Sequence, residues 1–129
     1  MKDTVQPGLT DERVLTVKKE MCINWVGTKL VFSTPSMIWE MEEAARHSLL
    51  PHLDEGEETV GTVINVRHLA ATPCGNEVRV TATLTEVDRR RCVWDVEAYD
   101  DHEKIGDGTV ERFIIDVEKF AAQVEAKGG

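Results

Sequence analysis

The apolar positions of this chain change period along its length, and the change separates one helical stretch from a series of strands. From Thr34 the spacing is helical: at about 100° per residue, Met37, Ile38, Met41, Ala44, Ala45 and Ser48 share one face, with Trp39, Glu43 and Arg46 opposite. Thr34-Pro35 is a good opening, since a threonine hydroxyl can cap free N–H groups and proline tolerates the first turn. Pro51 and the acidic run Asp54-Glu55-Gly56-Glu57-Glu58 end it. Beyond Thr59 the period drops to two. Val60, Thr62, Ile64, Val66 and His68 alternate with Gly61, Val63, Asn65, Arg67 and Leu69. After a turn at 72–76, Val78, Val80, Ala82 and Leu84 define a second dry face; after another at 87–90, Cys92, Trp94, Val96 and Ala98 define a third. A turn at 99–103 precedes a last strand over 109–117, and 119–127 reads as a short terminal helix. Ahead of the long helix, 13–18 reads as a first strand and 21–32 as an irregular loop broken at Gly27.

One strand, one long helix and four further strands on short connections make an α+β domain. Strands with one dry and one wet face form an antiparallel sheet, and a single helix covers only one side of it. The expectation is a five-stranded antiparallel sheet wrapped around one central helix, as a single domain over residues 1–129. The uncovered face and a bare edge predict pairing with a second copy, a homodimer.

Composition narrows the partners. Fifteen Lys and Arg against 24 Asp and Glu give a net charge of −9, which disfavours binding to nucleic-acid phosphates. The longest apolar run is far shorter than the roughly 20 residues that span a bilayer, so no membrane partner is expected. Residues 1–7 contain no apolar secretory core. Cys22, Cys74 and Cys92 are odd in number and form no C-x-x-C pair, which points to a reducing, cytoplasmic setting.

Few residues stand out as chemical. On the long helix Glu40 and Glu43 point sideways or away from the apolar stripe, whereas Glu42 lies about 90° from the stripe's centre, at its border, where partial burial makes a carboxylate useful as base or nucleophile. His68 shares the register of the dry face at the end of its strand, beside Ala70-Ala71-Thr72-Pro73. Gly61, at the start of the same strand, leaves space for a close approach by ligand or backbone. Thr34 places a hydroxyl at the positive end of the helix dipole. Glu43 and His47 have metal-compatible spacing but no third ligand, so they read as an ion pair and no metal site is expected. Gly106-Asp107-Gly108 lacks the Lys-Ser/Thr of a phosphate loop and reads as a turn or bulge. Arg89-Arg90-Arg91 is either a solvated turn or a clamp for a phosphorylated ligand. Trp25, Trp39 and Trp94 read as packing or interface residues.

Val31-Phe32-Ser33-Thr34, then Met37 and Met41-Glu42, together with Gly61-Thr62-x-Ile64-x-Val66-x-His68-x-Ala70-Ala71-Thr72-Pro73-x-Gly75, resemble the fluoroacetyl-CoA-specific thioesterase family of hotdog-fold enzymes. The likeness continues through Ile105-Gly106-x-Gly108-Thr109-x-Glu111-Arg112 and Glu118-Lys119-Phe120. The resemblance implies hydrolysis of a short-chain acyl-CoA thioester, with no cofactor, since CoA is part of the substrate. It implies catalytic roles for Thr34, Glu42 and His68, and substrate-binding roles for Gly61, at the acyl carbonyl, and Arg112. It departs at 22–31, which reads as shorter than the aromatic lid of the fluoroacetate-selective member, with Trp25 its only aromatic before Phe32. Two other readings fit the same fold: a non-catalytic acyl-CoA-binding protein, as sensor or accessory subunit, and a dehydratase or isomerase acting on a CoA-linked chain.

Overall fold

Where a strand is covered along one face, strict alternation survives, and two adjacent strands inside the sheet show it. In the computed structural model, which describes residues 1–128, β1 spans Thr10–Thr16, β2 Cys22–Val26, β3 Lys29–Phe32, α1 Thr34–Leu49, β4 Glu57–His68, β5 Glu77–Asp88, β6 Arg91–Tyr99, β7 Lys104–Asp116 and α2 Val117–Ala126. β5, β6 and β7 form an antiparallel meander. β1 adds outside β5 and β4 outside β7, giving the order β1-β5-β6-β7-β4. The α+β hotdog arrangement expected from the pattern is therefore present: one long helix lies in a five-stranded antiparallel sheet.

The core is the helix stripe laid on the dry faces. Met37, Met41, Ala44, Ala45 and Leu49 of α1 are buried with Val78, Val80, Ala82 and Leu84 of β5 and Cys92, Trp94, Val96 and Ala98 of β6. All eight strand residues are those picked out by alternation. Trp94 has the largest fully buried side chain, and its indole N–H donates to Ser48 Oγ at 2.8 Å. Ser48 in turn donates to the carbonyl of Ala45 at 2.7 Å, so the polar atoms under the helix are satisfied.

Several expectations need correction. Residues 21–32 are not an irregular loop; apart from Met21, which ends a 3-10 turn, they form a hairpin of β2 and β3. Its residues lacked a clean period because one side is open: Trp25 and Val26 are exposed. Gly106-Asp107-Gly108 is no turn; β7 begins at Lys104 and carries both glycines inside the strand. They are glycines because neighbours come close: a Cβ on Gly106 would lie 2.5 Å from Met37 Sδ, and one on Gly108 would lie 2.2 Å from the Asn65 carbonyl oxygen. Glu40 does not point away from the core. It is buried and accepts from Arg13 Nε at 3.0 Å. Finally, the α1 cap is Ser33, one residue before Thr34: its hydroxyl accepts from the Ser36 N–H at 3.1 Å.

β4 departs from simple alternation. A register shift against β7 falls between Gly61 and Val63, so Thr59 and Gly61 face α1 before it, and Ile64, Val66 and His68 after it. Val60, assigned to the dry face by pattern, pairs with the exposed Phe113 and lies on the other side. The bulge therefore lets Gly61 and His68, seven residues apart, share one face of the sheet.

Candidate active site

Two clusters of the candidate side chains line the helix face of β4, one near each end. At the first, the cap correction matters. Because Ser33 takes the capping bond, the Thr34 hydroxyl is free, and it lies 2.7 Å from His68 Nδ1. Thr34 comes from the first turn of α1 and His68 from the last residue of β4. Burial pushes the His68 pKa below the ordinary 6.5, and a contact with the Ala70 backbone opposes this only in part. The ring is thus neutral at physiological pH, with Nδ1 engaged by Thr34 and Nε2 buried without a partner.

The second cluster is held by the middle of α1 and the start of β4. Glu42 Oε2 accepts from Arg112 Nη1 at 3.0 Å. Arg112 is itself fixed: its Nε donates to Thr59 Oγ1 and its Nη2 to the Thr59 carbonyl, each at 2.8 Å. Gly61 pairs with Arg112 across the β4–β7 ladder and packs against the carboxylate. A Cβ built on it would lie 2.3 Å from Glu42 Oε2. The close approach expected at Gly61 is therefore made by Glu42. The other carboxylate oxygen, Oε1, is buried with no partner.

Among the described residues, Glu42 Oε1 and His68 Nε2 are the buried side-chain polar atoms left without a hydrogen bond. Such orphans are uncommon and call for a ligand or a chemical role. A carboxylate oxygen and a neutral imidazole nitrogen, each braced through its other atom, are a base or nucleophile and a proton carrier.

Within one chain the two clusters do not meet. Thr34 and Glu42 are eight residues apart, about 12 Å along the helix axis at 1.5 Å per residue. Gly61 and His68 are separated by about 20 Å of strand at roughly 3.3 Å per residue. Thr34 with His68, and Glu42 with Gly61 and Arg112, are the groupings found.

Beside Thr34 and His68 lies an open hollow of about 610 Å³, walled by Ile23, Trp25 and Val31 of the hairpin and by Leu69, Ala70 and Ala71. The hairpin that the sequence pattern left as a loop thus forms one side of the candidate site. The signal that could have revealed it is the pair of β-branched and aromatic runs on either side of Gly27-Thr28, a turn dipeptide.

Against known proteins, residues 17–118 match the model of the fluoroacetyl-CoA-specific thioesterase family. The chain belongs to this family. A fluoroacetyl-CoA thioesterase of Streptantibioticus cattleyicolor is 47% identical over 97 residues, covering 75% of this chain and 70% of that protein. The solved structure of the fluoroacetyl-CoA thioesterase FlK overlays with a TM-score of 0.91 at 37% identity, covering 97% of this chain and 98% of that one. A Thermus thermophilus member of the thioesterase superfamily overlays at 0.89 with 31% identity, covering 98% and 95%.

The remaining candidates are accounted for by pairing. Glu43 accepts from Arg46 at 3.3 Å and lies 3.2 Å from His47 Nε2, the contact that their spacing predicts. In the triple-arginine turn, Arg90 pairs with Glu57 at 3.2 Å and Arg91 with Glu111 at 2.8 Å, while Arg89 projects into solvent. Among the described residues no helix is long and apolar enough to cross a membrane.

Proposed function

We propose that this protein hydrolyses a short-chain acyl-CoA thioester to the free acid and CoA, with Glu42, His68 and Thr34 as its catalytic residues. The observation that carries the reading is the pair of buried, unpartnered atoms, Glu42 Oε1 and His68 Nε2. Membership of a family whose described relatives are fluoroacetyl-CoA thioesterases supports the reaction class.

Glu42 Oε1 either attacks the thioester carbonyl, giving a mixed anhydride that water then opens, or takes a proton from the attacking water. Arg112, tied to Thr59, engages Oε2 and fixes which oxygen is free. The Gly61 backbone, beside the carboxylate, receives the acyl carbonyl, where an N–H stabilises the developing oxyanion. His68, neutral at rest, relays the proton to the departing CoA thiolate through Nε2, and Thr34 fixes the ring and its tautomer from Nδ1. No cofactor takes part in these steps.

The separation of the two clusters is resolved by a homodimer. β4 is twelve residues long and forms a bare edge of the sheet. In an antiparallel pairing of two β4 edges, placing Gly61 opposite the partner's His68, with the bulge counted, puts the two-fold axis at Asn65. Thr34 and His68 of one protomer then face the partner's Glu42 and the partner's Gly61, giving two equivalent sites. The enzyme so assembled works in the reducing cytoplasm, in keeping with its free cysteines.

The test is thiol release from a panel of acyl-CoA esters, including acetyl-, fluoroacetyl- and propionyl-CoA, by the native protein and by Glu42→Gln and His68→Ala. Each variant alone should lose about 10²–10⁴-fold in kcat. Mixed and reannealed in equal amounts, they should recover about a quarter of the native rate, because half the dimers are mixed and each holds one intact site. Binding of acyl-CoA without turnover would instead make this a sensor or accessory subunit. Enoyl product without free thiol would make it a dehydratase. Variants at native rates would remove the mechanism.

A further inference from the structure

The sequence counts three cysteines with no paired motif, yet the fold brings two of them together. Cys22 is the first residue of β2, and Cys74 sits in the loop that follows β4 and carries an isolated bridge between Pro73 and Val31 of β3. Their thiols point at consecutive carbonyls of one short segment: Cys22 Sγ donates to the Lys18 carbonyl at 3.3 Å, and Cys74 Sγ to the Val17 carbonyl at 3.6 Å. Cys74 packs along β3, its N–H donating to the Leu30 carbonyl at 3.0 Å, and Cys22 pairs with Phe32 of the same strand, so the two thiols lie near one another. Both are partly exposed, and a surface depression of about 560 Å³ lined by Thr28, Leu30, Val31, Pro73 and Cys74 gives a small reagent a path to Cys74. Cys92 is different: it is fully buried in the core, where burial pushes its thiol up to about 11.

We infer that Cys22 and Cys74 form a reversible disulfide under peroxide, a modification site that staples the β2–β3 hairpin to the loop after β4. The chemistry balances as two steps. A Cys thiolate attacks one peroxide oxygen, giving a sulfenic acid and one water; the second thiol then attacks that sulfur and expels a second water. Two thiols lose two hydrogens and two electrons, and one hydrogen peroxide is reduced to two waters. Burial, reinforced by the neighbouring Cys74 thiol, raises the Cys22 pKa above the ordinary thiol value, so the reaction is slow at neutral pH and quickens in mild alkali.

The staple has a place to act. The hairpin supplies Ile23, Trp25 and Val31 to the hollow beside His68, and the stretch just before Cys74 supplies Ala70 and Ala71. Oxidation ties these two walls together.

The experiment treats the native, full-length protein with hydrogen peroxide, quenches excess oxidant, and counts free thiols before mapping disulfide-linked peptides without reduction. Free thiols should fall from three to one, with a single Cys22–Cys74 linked peptide that dithiothreitol reverses. Amide hydrogen exchange in the β2–β3 hairpin should slow in the oxidised form, a readout independent of any enzymatic activity. Sulfinic or sulfonic products without a cross-link would overturn the inference, as would a link through Cys92 or between two chains. Cys92→Ser should still form the link, and Cys74→Ser should not; because the native protein alone supplies the peptide map, a variant that fails to fold does not blunt the test.

Discussion

Replacing Gly61 by alanine separates catalysis from folding more sharply than any charge change in this site. The added methyl would sit 2.3 Å from Glu42 Oε2 and 3.3 Å from Glu42 Cδ, but 3.4 Å from Arg112 Nη1, which is ordinary contact. Non-bonded carbon and oxygen atoms settle at about 3.3–3.5 Å, so the carboxylate must retreat by about 1 Å. Its far end can do so by side-chain rotation, at the expense of the 3.0 Å bond to Arg112. Arg112 keeps its two bonds to Thr59, so no guanidinium nitrogen network collapses. Alanine also gains about 0.5–1 kcal/mol over glycine within a strand, which offsets much of the loss. Stability should therefore change by no more than about 1 kcal/mol. Turnover should not be spared: a 1 Å displacement of a reacting group costs about 10²-fold, or roughly 2.7 kcal/mol of barrier. Gly108→Ala is the contrast, because its methyl would meet the Asn65 carbonyl oxygen at 2.2 Å and the Val66 Cα at 2.6 Å, at a φ of +147°. Backbone cannot rotate out of the way, so that variant should lose several kcal/mol, about 3 or more. The assays are thermal unfolding and thiol release on both proteins. Native kcat/KM in Gly61→Ala, or a stability loss matching that of Gly108→Ala, would refute the reasoning.

Three further outcomes follow from the same geometry. His68 is held below its ordinary pKa of 6.5, so the folded protein resists protonation where the unfolded chain accepts it. Stability from this group is present above 6.5 and is lost as pH falls from there through the lower folded value; activity should fall over that same acid limb, and His68→Gln should abolish the stability component in pH-dependent urea unfolding. Ser33→Ala removes the helix cap and should cost about 1 kcal/mol with little change in rate, whereas Thr34→Ala should leave stability within about 0.5 kcal/mol and lower kcat, as read by paired unfolding and turnover measurements. Trp94→Phe deletes the donor to Ser48 Oγ and leaves a void in the core, so calorimetry should show a loss of about 2–3 kcal/mol with the fold retained.

The sequence was readable where burial is one-sided and continuous. Val78 to Leu84 and Cys92 to Ala98 are covered by α1 on one face throughout, and simple alternation names their buried residues correctly. Glu42 was legible as a border position because a helix wheel has no register to lose, and the structure leaves its side chain 20% exposed. Glu40 was misread for a related reason: the wheel cannot know that β1 supplies Arg13 to neutralise a carboxylate under the helix. The cap was misplaced because Ser33 and Thr34 offer the same chemistry one residue apart, and only backbone geometry decides between them. The β2–β3 hairpin faces solvent at Trp25 and Val26, so no dry face imposed a period on it.

β4 shows how a pattern can mark the right residues through the wrong face. Unbroken alternation would put Gly61 and His68 on opposite sides of the sheet, since seven residues is an odd interval. Had that held, no partner arrangement could bring the carboxylate cluster and the imidazole cluster to one carbonyl carbon, because the sheet itself would stand between them. The extra residue at the Gly61–Val63 bulge reverses the phase once and returns His68 to the helix side. The same irregularity falls within the strand that forms the bare edge, next to the Glu42 and Arg112 pair. Bulges gather at sheet edges and beside active sites because there they re-aim side chains without disturbing the core. Here a one-residue insertion is the physical link between the order of the sequence and the chemistry of the site.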